Sequence, residues 1–117
     1  MPAVVLTTDL LLQSQLSGAA ARAGQSFQVV ASVEALLAKL AASPHRLIIL
    51  DLALDAIQPA ALVQQLRLQA PSSTIVAFGP HVHRQRLADA KAAGCDVVMS
   101  RGQFHAEAES LLQSAAE

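Results

Sequence analysis

The chain contains no tryptophan and no tyrosine, and its only aromatics are Phe27, Phe78 and Phe104. It therefore offers few flat faces on which a nucleobase or a flavin ring could stack. A single cysteine, Cys95, cannot form an internal disulfide. Charge is sparse and balanced: 8 Lys and Arg against 9 Asp and Glu give a formal charge of -1. No chain-wide basic field draws it onto nucleic acid or an anionic membrane, so direct binding to either is not expected. No apolar run approaches the roughly 20 residues that span a bilayer. The opening Met1-Pro2-Ala3-Val4-Val5-Leu6 lacks the basic start and long apolar stretch of a secretion signal, and a cytoplasmic location is the expectation.

What is present is apolar. Hydrophobic residues make up 53% of the 117 positions, and the mean hydropathy of +0.42 excludes an intrinsically disordered chain. The length suits one domain over 1–117 with a single function.

Short β-branched runs alternate with longer Ala/Leu stretches at helical spacing, the pattern of repeated strand–helix units around a parallel sheet. Strands are predicted at Ala3–Thr7, Phe27–Ala31, Leu47–Leu50, Thr74–Phe78 and Val97–Met99. The unbroken run Leu47-Ile48-Ile49-Leu50 marks a central strand buried on both faces. Helices are predicted at Leu10–Ala23, Val33–Ala42, Ala60–Ala70, Arg84–Ala93 and His105–Ala116. Thr8 or Asp9 can cap the first helix and Gly24 can end it; Ser32 can cap the second, and Pro59 suits the first turn of the third. The fold class that follows is α/β, an open parallel sheet of five strands with helices on its faces. In such sheets a site lies beyond the carboxyl ends of the strands.

Those ends carry Thr7-Thr8-Asp9, Asp51, Gly79 and Ser100-Arg101. Together with Leu47-Ile48-Ile49-Leu50-Asp51-Leu52, a loop through Asp55, and Gly94-Cys95-Asp96 ahead of the last strand, they resemble the receiver domain of bacterial response regulators over essentially the whole chain. The resemblance implies a flavodoxin-like doubly wound sheet of five parallel strands in the order 2-1-3-4-5, and a two-component signalling module with a phosphoacceptor at Asp51 and a protein partner such as a histidine kinase or an output domain. A homodimer is left open. A carboxylate accepts a phosphoryl group poorly unless Mg²⁺ screens the charge, and Mg²⁺ favours carboxylate ligands. The family supplies an acidic pair after the first strand. Counting back from Gly24, that pair falls on Thr7 and Thr8, with Asp9 one place beyond.

Other departures agree. The family's switching Ser or Thr matches Gly79, its rotating aromatic matches Val98, and its Lys matches Arg101. Gly79 has no side chain to respond, and Val98 is small and stiff. The reading taken is a degenerate receiver, or pseudo-receiver, that acts by protein–protein contact and is not an enzyme, with no cofactor and no metal. On this reading Asp51 is ion-paired with Arg101, and Asp9 caps the first helix. The implied partner face joins the fourth helix, fifth strand and fifth helix through Arg84, Arg86, Lys91, Gln103 and Phe104.

Two alternatives stand beside it. One is a phosphorylatable receiver in which Asp9 serves as a substitute Mg²⁺ ligand; the other is a small-molecule-binding α/β domain with a deep pocket at the strand ends. Thr7-Thr8-Asp9-Leu10-Leu11-Leu12 contains no glycine and matches no phosphate-binding loop. His81 and His83 lack a third ligand for zinc, and the segment from His81 to Arg86 reads as a solvated loop. Cys95 reads as a small core residue with no activating base.

Overall fold

In the computed structural model, which describes residues 2–115, ten elements alternate: β1 (Ala3–Leu6), α1 (Leu10–Ala23), β2 (Phe27–Val30), α2 (Val33–Ala42), β3 (Leu47–Asp51), α3 (Pro59–Gln69), β4 (Thr74–Gly79), α4 (Arg84–Ala93), β5 (Val97–Ser100) and α5 (Arg101–Ala115). The five strands are parallel, as the alternation of elements predicts, and stand in the expected order β2-β1-β3-β4-β5. No helix among the described residues is long and apolar enough to cross a membrane.

Period-two alternation divides the sheet between two apolar layers. Val4, Leu6, Ile48, Leu50, Ile75 and Ala77 face α2, α3 and α4 through Leu36, Leu62, Val63, Leu66 and Ala90. Val5, Leu47, Ile49, Val76 and Phe78 face α1 and α5 through Leu12, Leu16, Phe104, Ala108 and Leu112. All five residues of β3 are buried, as a strand covered on both faces requires.

Helix boundaries follow local chemistry. Asp9 accepts from the N–H groups of Leu11 and Leu12 at 3.0 and 3.1 Å and so caps α1. Gly24, at φ 68°, and Gly94, at φ 114°, end α1 and α4 in the left-handed conformation that glycine adopts without strain. The last helix departs from expectation. It was predicted from His105 to Ala116; it starts at Arg101, and Ala116 lies outside the described residues. The reason is Ser100, whose Oγ accepts from the Gln103 N–H at 3.2 Å, so the strand runs straight into the helix.

That early start carries Phe104 inward. Its ring is fully buried and stacks on Phe78 with centroids 4.1 Å apart and planes 8° from parallel. Phe104 is therefore a core residue and not the aromatic anchor of a partner face, which corrects the expectation for this position.

At the opposite end of the sheet, Arg67 of α3 ties three segments together. Nε and Nη2 donate to the Gly94 carbonyl at 3.0 and 2.8 Å, Nη1 donates to the Ser73 carbonyl at 2.8 Å, and Nη2 pairs with Asp96. Asp96 also accepts from the Ile75 N–H at 2.8 Å. Partial burial opposes ionisation of Asp96, but the Ile75 N–H and the Arg67 guanidinium outweigh it and hold the carboxyl below its ordinary value of 3.8. A depressed carboxyl contributes stability that is complete above its unfolded value and is lost as pH falls through the folded one. Arg67→Ala should thus cost roughly 1–3 kcal/mol in urea unfolding at neutral pH. Asp96→Asn should remove part of the stability loss seen on acidification below about pH 4. An unchanged acid limb in Asp96→Asn would deny the carboxylate this role.

Candidate functional site

The register aligns the carboxyl ends of β1 with β3 and of β4 with β5: Leu6 lies opposite Leu50, and Gly79 opposite Ser100. Thr7 leaves β1 fully buried and Asp51 closes β3 at 2% exposure. The Thr7 hydroxyl donates to Asp51 Oδ2 at 2.7 Å and accepts from the Asp9 N–H at 3.1 Å. The other carboxylate oxygen, Oδ1, accepts from the Ala53 N–H at 3.0 Å. Each oxygen of Asp51 therefore has a donor from within the chain.

Asp9 divides its carboxylate. Oδ1 caps α1, while Oδ2 forms an ion pair with Arg101 Nη2. The expected Asp51–Arg101 pair is replaced by Asp9–Arg101. Thr7 already occupies the Asp51 oxygen, and the capping geometry of Asp9 leaves its second oxygen directed at the guanidinium on the first residue of α5. Asp51, Thr7, Asp9 and Arg101 thus form one chain of polar contacts across four elements. Thr8, between them, is exposed. Among the described residues no group of three or more His, Cys, Asp or Glu side chains is placed to hold a metal ion.

Gly79 is buried at the end of β4, and a Cβ there would lie 3.2 Å from Leu52 Cβ and 3.7 Å from Leu87 Cδ2. A side chain at position 79 would press on Leu52, which would have to give by a few tenths of an ångström. Val98 is half-buried and packs in the apolar layer under α4. Cys95 is 5% exposed, and burial pushes its thiol up to about 11, far from the thiolate that nucleophilic chemistry uses. His81 and His83 are exposed in the turn before α4, and His83 occupies the cap position without a side-chain bond.

Of the residues assigned to a partner face, Arg84, Lys91 and Gln103 are exposed. Arg86 is not a free cation. Its Nε donates to the Leu52 carbonyl at 2.9 Å, and Nη2 donates to those of Leu54 and Ile57 at 2.8 and 3.0 Å. The expectation for Arg86 is corrected on that ground: its guanidinium is committed to the loop that follows Asp51. That loop, Leu52 to Gln58, contains only Asp55 and Gln58 as polar side chains. Such a shortage of local partners for its carbonyls was the available signal that a distant donor must serve them.

No protein-family profile matches the chain, and no curated protein matches it. Solved structures do resemble it. HP1043, an orphan response regulator of H. pylori, aligns over 100% of this chain and 97% of its own with a TM-score of 0.82 and 10% identity. The beryllofluoride-activated NtrC4 receiver domain dimer aligns over 97% of this chain and 98% of its own, with a TM-score of 0.79 and 13% identity. NtrX from Brucella abortus, solved in complex with ADP, aligns over 99% of this chain with a TM-score of 0.76 and 19% identity; the chain spans 27% of that protein's length. At these identities the likeness is one of fold, and the fold is that of response-regulator receiver domains.

Burial decides which contact matters most. Thr7→Val leaves a buried carboxylate short of a donor and should cost roughly 1–3 kcal/mol. Arg101→Ala breaks a half-exposed pair and should cost about 1 kcal/mol or less. Urea unfolding of both variants checks the ranking, and the reverse order would contradict it.

Proposed function

We propose that the chain is an atypical receiver module of a two-component system, working in the cytoplasm, that signals through protein–protein contact without conventional Mg²⁺-dependent phosphorylation of Asp51 and without catalytic turnover. The observation that carries this reading is the buried Thr7–Asp51 hydrogen bond at 2.7 Å. A phosphoacceptor carboxylate needs one oxygen open to the incoming phosphorus and a cation to screen the approach. Here each oxygen already accepts a hydrogen bond, one from Thr7 and one from the Ala53 N–H, so an incoming phosphorus or cation must compete with a buried donor on either side.

The donor set does not suit a resident Mg²⁺. That ion takes one or two carboxylates in near-ideal octahedral geometry. Asp51 is spoken for, Thr7 brings a neutral hydroxyl already engaged as a donor, and Asp9 is neutralised by Arg101 while capping α1. The same contacts argue against Asp9 as a substitute ligand. The positions that match the family's moving parts, Gly79 and Val98, have no group that could follow a phosphoryl oxygen.

Recognition then falls to a surface held in one conformation. Arg84 and Lys91 lie seven residues apart, two turns along one side of α4, and both are exposed. With Gln103 on α5 they make a cationic strip suited to an acidic or amphipathic protein surface, such as that of a histidine kinase or an output domain.

Two outcomes are expected. Incubation with Mg²⁺ and a small phosphodonor should leave the intact mass unchanged; a phosphoryl adduct that disappears in Asp51→Ala would establish the phosphorylatable receiver instead. Arg84→Glu with Lys91→Glu should weaken partner capture about tenfold or more while changing stability by roughly 0.5 kcal/mol or less. Asp51→Ala should keep the partner, and its loss there with no effect of the charge reversals would move the interface to the strand ends.

A further inference from the structure

α4 has little apolar attachment of its own. Ala90 is its one buried residue, with Leu87 and Ala93 half-buried against the core. No side chain caps its start, and the turn before it is closed by the His83 N–H to Pro80 carbonyl bond at 2.9 Å. What anchors the first turn is Arg86. One guanidinium on that turn serves three carbonyls of the β3–α3 loop, those of Leu52, Leu54 and Ile57, which lie 34, 32 and 29 residues away in sequence.

The same loop starts at the site. Ala53 N–H is bonded to Asp51 Oδ1, the Leu54 N–H to the Asp51 carbonyl, and the Ile57 N–H to the Leu54 carbonyl. The Leu52 N–H is held by the Phe78 carbonyl at 2.8 Å. The loop backbone is therefore tied to Asp51 at one side and to α4 at the other, with Arg86 as the polar link between them. A planar fork with donors in fixed directions suits this; an ammonium on a flexible stem cannot serve three separated carbonyls with the same geometry.

We propose that Arg86 is a positioning residue, a strut that makes the β3–α3 loop and the first turn of α4 move as one body. Through it the backbone of the loop after Asp51 holds Arg84 in place, independently of any group at positions 79 or 98. The proposal rests on the reading of α4 as the partner face, and it makes that face depend on the Asp51 loop.

Amide hydrogen exchange on the whole chain, read at single residues by NMR, tests it without a partner. In Arg86→Ala, the amides of Leu54 and Ile57 in the loop and of Leu87 in α4 should all exchange about tenfold faster or more. Leu36, whose amide is bonded to the Ser32 carbonyl at the start of α2, and Gln25, whose amide is bonded to the Ala20 carbonyl at the end of α1, serve as references; they correct for any global loss of stability. Asp51→Ala frees the Ala53 N–H and should speed exchange at Leu87 when Arg86 is present, with no further increase at Leu87 when it is combined with Arg86→Ala. Arg86→Lys keeps the charge without the fork and should behave as Arg86→Ala, so it carries the same comparison if the alanine variant folds poorly. The strut is overturned if Leu87 exchanges as in the parent chain while the loop loosens. It is equally overturned if Asp51→Ala affects Leu87 equally with and without Arg86, or if Arg86→Lys preserves the coupling. No partner enters this experiment, so its failure leaves the cationic strip to the capture test, and a failed capture leaves the strut standing.

Discussion

A carboxylate at 2% exposure must have its oxygens served from within the chain, because an ionised group left short of donors inside a protein costs several kcal/mol. At the end of β3 that service falls on the hydroxyl of Thr7. A hydroxyl has one proton to give and lone pairs to receive with. Thr7 gives its proton to Asp51 and receives the Asp9 N–H, which fixes the direction in which the chain leaves β1. Asp9 is thereby set as the cap of α1 and presents its second oxygen to Arg101. One hydroxyl thus links β1, β3, α1 and α5.

The sheet beneath this arrangement explains why the strand ends are so well defined. Val5, Leu6, Ile49 and Leu50 are wholly buried, and β3 is enclosed by helices on both faces. A slip of one residue in either strand would exchange the two apolar layers. Among the helices α4 is the exception to this packing, held less by apolar contacts than by the three carbonyl bonds of Arg86.

Much of this was legible in the sequence where a single local cause dominates. The run Leu47–Leu50 marked the central strand, and Ser32, Asp9 and Gly24 marked helix ends through capping chemistry that acts within a few residues. The start of α5 was missed because Ser100 reads equally as a strand residue and as a cap, and Gly102 reads as a break. Only the packing of Phe104 on Phe78 selects the longer helix. At the site, the residues at the strand ends were legible and their pairings were not. One guanidinium, Arg101, had two carboxylates within plausible reach, and the choice of Asp9 depends on Thr7 having already engaged Asp51. Arg86 escaped for a similar reason. Its acceptors are main-chain carbonyls some thirty residues away, and the scarcity of polar side chains in their loop signals that a donor is needed without saying which residue supplies it.

If Thr7 closes the site, opening it should be a matter of chemistry at that position. Calorimetric titration of Mg²⁺ into the parent chain and into Thr7→Asp with Thr8→Asp compares a neutral strand end with an acidic one. The account predicts no saturable binding at sub-millimolar Mg²⁺ in the parent chain, and binding gained in the double variant that is lost again when Asp51→Ala is added. Saturable sub-millimolar binding by the parent chain would contradict the account, as would a folded double variant that gains none.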